Sequence, residues 1–254
     1  IPASDRGPAR VWYGSAAASE LHDMDWLQAH LRTDEDVQIR SLTNDQTILV
    51  LAGPNARKVM QEVSRDDWSK DAFPWLSVRE CFVGVAPATV MAVSFSGELA
   101  YEIHVPNSGL LRAYQTLRAS GDVTLFGSMA VESMRIEKGY RHWKADLITE
   151  FDPFETGLDR FVTLNKGGFV GRDALIARQA QGPKQRLVAL RVDHHRAPAR
   201  GGASVMQNGR VVGTVTSGDW GFRLGQNLAY AFVAPSLSDH DMDLVVDICG
   251  HLAP

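Results

Sequence analysis

The pattern of apolar residues changes at Gln181-Gly182-Pro183, and this change limits the folds open to the chain. Before it, strand-length apolar segments alternate with helix-length segments. After it, short apolar strands follow one another between turn residues, and Asn208-Gly209 is a typical hairpin turn. We predict an α+β fold over residues 1–182, with mainly antiparallel sheets and packed helices, and a small β-barrel or sandwich over residues 183–254.

Periodicity places the elements of the first region. Residues 1–18 are expected to form a loop, and Ser19 to begin a helix with the apolar stripe Leu21, Met24, Leu27 and Leu31. Further helices are predicted to begin at Gly53-Pro54 and near Asn107 or Ser108. The predicted strands of this region are 46–53, 78–83, 88–95 and 99–105. Those of the second region are 187–192, 203–206, 211–216, 228–233 and 244–248.

Composition narrows the class of partner. The 254 residues are 44% apolar with a net charge of −4 and no basic block, which argues against a nucleic-acid or anionic-membrane partner. Apolar runs such as 47–52 are far too short to span a bilayer. Cys81 and Cys249 lack any spacing pattern, so we expect both to be reduced and buried. These cysteines indicate a reducing compartment, which we expect to be the cytoplasm, or the mitochondrial matrix in a eukaryote. The first residue is not Met and no signal-peptide profile follows, so we expect part of a longer protein.

Several kinds of catalytic motif are absent from the sequence. No Gly-x-Gly-x-x-Gly follows a strand, no phosphate-binding loop occurs, and no Gly-x-Ser-x-Gly elbow is present. The histidines form no helical His-x-x-x-His pair and the cysteines no knuckle, so no metal site is predicted and a metal-dependent hydrolase is disfavoured. What remains is a set of three carboxylates, Asp23, Glu102 and Glu137.

Glu137 stands on the apolar side of a predicted helix. A helical wheel puts one stripe on one side and a charged set on the other. The stripe is Phe126, Ala130, Ser133, Met134 and Glu137, and the charged set is Glu132, Arg135 and Lys138. Gly139 is predicted to end the helix, and Tyr140, Arg141, Trp143 and Lys144 follow. A carboxylate beside aromatics suits a flat heterocycle with adjacent N–H donors, and the alternative is an internal ion pair between Glu137 and an arginine.

The other two carboxylates are less distinctive in the sequence. Asp23 lies in the first turns of its helix, where an acid commonly serves only to complement the helix dipole. Glu102 and His104 share the face of a strand opposite to Leu99, Tyr101, Ile103 and Val105.

Six blocks of the chain resemble the folate-binding aminomethyltransferases, the family of the glycine-cleavage T-protein. The resemblance is strongest to the C-terminal folate region of dimethylglycine and sarcosine dehydrogenases. The blocks, which span most of the chain in order, are His22 to Leu27, Leu51 to Ala56, Phe95 to Glu102, Arg135 to Arg141, Lys166 to Asp173 and Gly213 to Gly218.

The resemblance implies a central hole that binds tetrahydrofolate, with the C-terminal barrel closing over one side. It implies that Asp23 is the catalytic aspartate, acting by electrostatics and orientation. It further implies that Glu137 grips the pterin through both carboxylate oxygens and that Glu102 lies near the reaction centre. The remaining predicted cofactor contacts are Phe95, Tyr140, Trp143 and Arg200.

The chain also departs from the family pattern. Phe95 stands where relatives carry Tyr, Ala100 stands for Gly, and the N-terminal part and the flavin domain of the dehydrogenases have no counterpart. The implied activity is tetrahydrofolate-dependent one-carbon transfer. It would capture formaldehyde or an iminium from an N-methyl amine such as dimethylglycine or sarcosine, beside a flavin dehydrogenase domain or subunit. The alternative is a folate-binding or regulatory scaffold without turnover.

Overall fold

A computed structural model of the protein describes residues 9–121, 123–239 and 242–254. The first eight residues of the predicted loop lie outside the described part. The described chain divides into two compact units. Unit 1 holds residues up to 94 together with 98–125, and unit 2 holds 95–97 together with 126–254. The predicted boundary at residues 182 and 183 falls inside unit 2, and it stays a prediction.

Unit 1 is a four-stranded antiparallel sheet with helices. Its strands, in the spatial order β1-β4-β3-β2, are β1 (Gln46–Ala52), β2 (Val78–Val83), β3 (Ala86–Met91) and β4 (Ala100–Pro106). Its helices are α1 (Glu20–Ala29), α2 (Ala56–Val63) and α3 (Leu110–Ala119), and short 3₁₀ turns cover Ala17–Ser19 and Asn107–Gly109. The four predicted strands are therefore present, with their ends shifted by a few residues.

Alternation in β4 separates the core face of the unit 1 sheet from its second face. Tyr101, Ile103 and Val105 are buried, whereas Glu102 and His104 point to the other face. The buried side meets α2, whose core residues are Ala56, Val59, Met60 and Val63. The predicted Pro54 start of α2 is wrong by two residues, because Pro54 lies in a turn and Asn55 takes the N-cap position.

Helix α1 forms where it was predicted, but its apolar stripe is not a core face. None of its residues is buried, and Leu21 is 80% exposed. The helix is therefore not held by core packing on that stripe, and the near-helical spacing of its apolar residues was a misleading signal.

Unit 2 combines short helices with a six-stranded antiparallel sheet. Its helices are α4 (Ser128–Lys138), α5 (Pro153–Thr156) and α6 (Arg172–Gln181), with 3₁₀ turns at Asp159–Phe161 and Pro235–Leu237. Its strands, in the spatial order β10-β9-β6-β7-β8-β5, are β5 (Arg186–Val192), β6 (Ser204–Gln207), β7 (Arg210–Gly221), β8 (Gln226–Val233), β9 (Val245–Ile248) and β10 (His251–Ala253). Asn208 and Gly209 form the predicted hairpin turn, both with positive φ.

Strand β7 is twice as long as predicted. The segment after Thr216 is polar and glycine-rich, so it lacks the strand signal, yet it pairs with β8 through to Gly221. A bulge at Thr216 shifts the register between the two halves. Glycine is required at position 218, because a Cβ there would lie 2.0 Å from the carbonyl oxygen of Ala199.

Two smaller features of unit 2 also differ from the sequence prediction. Strand β10 was missed, since three residues are too few to show a period. Cys249 was expected to be buried, but it lies exposed in the turn between β9 and β10, whereas Cys81 is buried as predicted. Across the described residues no helix combines the length and the apolar character needed to cross a bilayer.

Candidate functional site

Helix α4 ends in a way that places Glu137 in its last turn. Gly139 adopts the left-handed conformation with φ of 85°. Its N–H donates to Ile136 O over 3.1 Å, and the N–H of Tyr140 donates to Arg135 O over 2.9 Å. These two bonds form a Schellman motif, in which glycine is favoured because it lacks a Cβ. The predicted helix stop at Gly139 is therefore confirmed.

The stripe that carries Glu137 faces a cavity of about 550 Å³ within unit 2. This volume lies in the range of sites for small organic ligands. The residues around it, which we call the Glu137 cavity, are Met129, Ala130, Ser133, Met134 and Glu137 of α4 with Asp219, Phe222 and Arg223 of the β7–β8 hairpin. Four residues of the predicted stripe therefore border the cavity, but within α4 the buried residues are Ser133, Arg135 and Ile136, so the stripe is not a core face.

The Glu137 carboxylate is held by the backbone of the hairpin. Its Oε1 accepts hydrogen bonds from the N–H groups of Arg223 and Leu224, both over 2.9 Å. The predicted alternative of an internal ion pair with an arginine is not what the described residues show, because both of these partners are backbone amides. The charge is instead stabilised by two amide dipoles, which are strong donors to a carboxylate.

The arginine nearest in sequence serves a different purpose. Arg135 was predicted to lie on the charged, outward side of α4, but only 2% of its side chain is exposed. Its guanidinium bonds to Glu132 and to Asp146, a carboxylate with no exposed surface. The side of α4 that carries Arg135 is therefore also packed against the protein. The buried guanidinium is tolerated because two carboxylates pair with it.

The remaining predicted cofactor residues of unit 2 do not line the Glu137 cavity. Phe95 is about 40% exposed and packs beside His142, with ring centroids 6.3 Å apart. Tyr140 is half-buried, and Trp143 and Arg200 are exposed, the latter in the loop before β6. The sequence missed Phe222 and Asp219, which do line the cavity, because the hairpin gives no local signal of what it faces.

A second cavity of about 630 Å³ lies elsewhere in unit 2. It is lined by two cationic side chains, Lys144 and Lys184, and by apolar side chains that include Ile148, Phe151 and Phe232. Among the described residues, none of the predicted site residues lines this cavity, although it is the larger one. We therefore base the candidate site on the Glu137 cavity, where a carboxylate and apolar side chains line the same space.

In unit 1 the candidate catalytic Asp23 is held by the segment before α1. Ser15 donates a short hydrogen bond from Oγ to Asp23 Oδ2, and Tyr13 donates to the same oxygen over 3.4 Å. His22 Nδ1 lies 3.0 Å from Oδ1. The Asp23 side chain keeps 21% of its surface exposed. Three side chains therefore orient the Asp23 carboxylate.

These contacts also set the charge of Asp23. The hydrogen bond from Ser15, followed by that from His22, holds the pKa of the Asp23 carboxyl below its ordinary value. Burial and the neighbouring Asp23 raise the pKa of Tyr13. At neutral pH the pair is therefore a carboxylate with a neutral phenol beside it, which suits electrostatic stabilisation of a cation and not acid catalysis by Asp23.

Glu102 lies on the second face of the unit 1 sheet, next to His104, whose side chain is only 11% exposed. Its Oε2 lies 3.3 Å from His104 Nε2, and the ring of Trp12 meets His104 edge-on at 5.5 Å. Trp12 therefore contacts the Glu102 strand while Tyr13 and Ser15 contact Asp23. The sequence interpretation treated residues 1–18 as a plain loop, although two adjacent aromatics in a polar segment could have marked it.

No cluster of three or more His, Cys, Asp or Glu side chains able to hold a metal ion occurs within residues 9–121, 123–239 and 242–254.

Two family models match the chain, one in each of its two regions. The GCVT N-terminal domain matches residues 4–166, and the glycine cleavage T-protein C-terminal barrel domain matches residues 185–254. The chain belongs to the glycine cleavage T-protein family.

This family membership confirms the resemblance, the mixed helix and antiparallel-sheet fold and the C-terminal barrel domain that were predicted. The chain is similar to human dimethylglycine dehydrogenase, which is named as mitochondrial, with 32% identity over all of this chain and 30% of that protein. Mouse sarcosine dehydrogenase is 34% identical over 96% of this chain and 27% of that protein. The chain therefore spans about a third or less of the dehydrogenases that it matches.

This T-protein family member also matches a solved structure and a protein that is named as a regulatory subunit. The crystal structure of glycine cleavage system aminomethyltransferase T from Bartonella henselae superimposes with a TM-score of 0.83 and 22% identity, covering 93% of this chain and 64% of that one. At this identity the match shows the shared fold. Mouse pyruvate dehydrogenase phosphatase regulatory subunit is 30% identical over 93% of this chain and 29% of that protein. A similar sequence thus also occurs in a protein that is named as a regulatory subunit.

Proposed function

We propose that this chain binds tetrahydrofolate and transfers a one-carbon unit to it, by capturing formaldehyde or an iminium that derives from an N-methyl amine. Dimethylglycine and sarcosine are the amines that the related dehydrogenases suggest. The observation that carries the proposal is the Glu137 carboxylate at a cavity of about 550 Å³, held by two amides and not neutralised by a guanidinium among the described residues.

The Glu137 cavity fits the chemistry of a reduced pterin. Because Oε1 of Glu137 already accepts two hydrogen bonds from the hairpin, we propose a contact through Oε2 to a ring N–H donor, in place of the expected grip by both oxygens. Met134 and Phe222 contribute apolar wall on which a flat ring packs. When bound, tetrahydrofolate supplies the nitrogen that accepts the one-carbon unit.

Asp23 is the residue we propose for catalysis. Its low pKa keeps it ionised, so it stabilises positive charge on an amine or iminium and orients the accepting nitrogen. Ser15 and Tyr13 hold the carboxylate for this task. Glu102 is proposed to act near the reacting group, and Phe95, Tyr140, Trp143 and Arg200 remain proposed contacts to the cofactor or to its tail.

An amine-oxidising flavin domain or subunit is the proposed partner, because the matched region is only 30% of the length of the dimethylglycine dehydrogenase relative. The mitochondrial matrix is the proposed compartment in a eukaryote, after the relatives named mitochondrial, and the cytoplasm in a bacterium.

The proposal is tested in two steps. Tetrahydrofolate is first titrated by quenching of tryptophan fluorescence into the wild type, Glu137→Ala and the control Glu150→Ala, whose side chain lies outside the Glu137 cavity. We expect Glu137→Ala alone to weaken binding, by about tenfold or more, as for a lost hydrogen bond to a charged group. Absence of saturable binding by the wild type would contradict the proposal.

The second step measures formation of methylene-tetrahydrofolate from formaldehyde or from an oxidised amine. Asp23→Ala is compared with Asp25→Ala, which removes an exposed carboxylate from the same helix. We expect Asp23→Ala to lower turnover by about 100-fold, within the usual range for an electrostatic catalytic group, and Asp25→Ala to leave it near the wild type.

A folate-binding or regulatory scaffold is the second candidate. It is favoured by the similarity to a protein named as a regulatory subunit and by Phe95, which lacks the hydroxyl expected at its position. Saturable folate binding without turnover, in the presence of an added amine dehydrogenase, would support the scaffold. Turnover that depends on Asp23 would exclude it.

A further inference from the structure

The way in which Glu137 is positioned carries a further inference, which rests on the folate-binding role proposed above. We propose that Gly221 and the turn that follows it are a positioning element for the Glu137 carboxylate. In this arrangement the protein fixes one oxygen of the carboxylate, and the other oxygen is presented to a ligand.

The absence of a side chain at position 221 makes room for the carboxylate. A Cβ on Gly221 would lie 2.8 Å from Glu137 Oε1 and 2.9 Å from Glu137 Cγ. Real Cβ atoms do not approach other heavy atoms this closely, so a side chain at 221 requires the Glu137 side chain to shift, while Leu228 Cδ1 lies slightly farther away at 3.0 Å. Gly221 is the last residue of β7, and no positive φ explains its presence, because it is not among the glycines with a left-handed backbone.

The turn after Gly221 supplies the donors. The N–H groups of Arg223 and Leu224 both point to Oε1, each at 2.9 Å. Successive amides that converge on one oxygen form an anion-binding concavity, which fixes the position of that oxygen more strictly than one bond would. The turn therefore determines where Glu137 stands, provided that position 221 carries no side chain.

Helix α4 is fixed to the same two strands next to Glu137. Ser133 Oγ donates to Trp220 O over 2.6 Å, one residue before Gly221. Tyr230 OH, on β8, donates to Ile136 O over 3.1 Å. These bonds hold the backbone of α4 beside Glu137, so the side chain cannot relieve a clash at position 221 by a shift of the helix. The carboxylate itself would have to move.

The first experiment compares Gly221→Ala with the matched control Gly127→Ala. Gly127 precedes α4, has a negative φ and has no neighbouring atom within 4 Å of the point that a Cβ would occupy, so an alanine fits there. Amide hydrogen exchange of Arg223 and Leu224 is measured by NMR in both variants and in Glu137→Ala. We expect exchange at both amides to rise by about tenfold or more in Gly221→Ala and in Glu137→Ala, since each loses a charge-assisted hydrogen bond, and to stay unchanged in Gly127→Ala.

The second experiment measures tetrahydrofolate affinity in the full chain. We expect Gly221→Ala to weaken binding by about tenfold or more, and Gly127→Ala to leave it unchanged. The double variant Gly221→Ala with Glu137→Ala should bind as weakly as Glu137→Ala alone, because both changes act through one carboxylate. Further weakening in the double variant would overturn the proposal, because Gly221 would then act through another contact.

Two outcomes separate this inference from the proposed function. If the wild type binds no tetrahydrofolate but the exchange data follow the expected pattern, the folate role fails and the positioning of Glu137 stands. If the amides of Arg223 and Leu224 are unaffected by Glu137→Ala, the positioning element is refuted whatever the affinity. This second readout needs only Glu137→Ala, so it holds even if Gly221→Ala does not fold.

Discussion

The guanidinium of Arg135 donates from Nη1 to Asp146 Oδ2 over 2.8 Å, and both side chains are almost fully buried. Asp146 accepts three further hydrogen bonds. They come from the N–H of His142 over 2.7 Å, Thr216 Oγ1 over 2.5 Å and Ser217 Oγ over 2.6 Å. The carboxylate thus joins α4 to β7, and its lone pairs are satisfied.

The bulge in β7 explains why two consecutive hydroxyls reach Asp146. Neighbouring side chains of a regular strand point to opposite faces, so Thr216 and Ser217 could not both meet one carboxylate. The extra residue at Thr216 rotates the strand locally and brings both to one side. The bulge is therefore part of what fixes α4, and with it Glu137, on the sheet.

Removal of the Asp146 carboxylate is expected to destabilise unit 2 strongly. Asp146→Ala leaves Arg135 buried with only Glu132 as a charged partner and takes the shared acceptor from two hydroxyls. We expect a loss of about 3–5 kcal/mol in the free energy of unfolding. Urea unfolding followed by fluorescence measures it, and Asp173→Ala, whose side chain is 97% exposed, should change stability by less than about 0.5 kcal/mol. A loss below about 1 kcal/mol for Asp146→Ala would contradict this account.

The burial of Arg135 in this network could not be predicted from the sequence. The strands of unit 1, the α2 core residues and the Gly139 helix stop followed from local patterns, because period and chain punctuation are local properties. The hydrogen-bond partners of Arg135 did not follow from such local patterns. Asp146 lies beyond the end of α4 and Thr216 lies on a strand far along the chain, so no helical wheel could show that Arg135 faces inward.

The hydrogen bond from Ser15 is expected to control the acid limb of activity. Asp23 has a lowered pKa, so its carboxylate is present above that value and is lost as the pH falls through it. Ser15→Ala removes the largest cause of the shift and should move the pKa of Asp23 upward, toward its ordinary value. The pH profile of one-carbon transfer should then lose its acid side at a higher pH.

The control for this prediction is Ser41→Ala. Ser41 Oγ donates to Glu20 Oε1 over 2.9 Å, so the variant removes a comparable hydroxyl from another carboxylate of α1. We expect its pH profile to match that of the wild type. Equal profiles for Ser15→Ala and the wild type would show that Asp23 ionisation does not govern the acid limb.

The two cysteines are expected to differ sharply in reactivity. Burial, with a smaller effect of Asp66, raises the pKa of the Cys81 thiol from 9.0 to about 11, whereas Cys249 is exposed. Thiolates are the reactive form, so iodoacetamide at about pH 8 should modify Cys249 and spare Cys81. Mass spectrometry of the native protein should show a single adduct on each chain. Rapid double modification would contradict the burial of Cys81.

The same shift predicts a pH dependence of stability. Between pH 9.0 and about 11, Cys81 ionises in the unfolded chain but stays protonated in the folded one, so its contribution to stability falls as the pH rises through that range. Urea unfolding of the wild type and of Cys81→Ala at about pH 8 and about pH 11 isolates this contribution. The wild type should lose more stability than the variant over this interval, and an equal loss would refute the assigned pKa.

The candidate site illustrates a different limit of sequence analysis. Asp23, Glu102 and Glu137 were predicted as site residues, Glu137 because acids are rare on apolar faces and the other two through the family resemblance. Tyr13, Ser15 and the hairpin donors were not, because their importance comes from contacts that the folded chain creates. A hydroxyl in a loop has no pattern until its acceptor is known.

Phe222 provides the last test, since it is 79% exposed and yet borders the Glu137 cavity. An exposed phenylalanine on a hairpin contributes little to folding but offers a face for ring stacking, and stacking of a heterocyclic base on an aromatic side chain is worth about 1–3 kcal/mol. Phe222→Ala should therefore weaken tetrahydrofolate binding by about tenfold while it changes the free energy of unfolding by less than about 0.5 kcal/mol. The matched control is Phe161→Ala, which removes a 70% exposed ring that packs against Arg160 and does not border the cavity. Fluorescence titration measures the tetrahydrofolate affinity of both variants, and urea unfolding measures their stability. If Phe222→Ala binds tetrahydrofolate as tightly as Phe161→Ala, the pterin does not stack on Phe222.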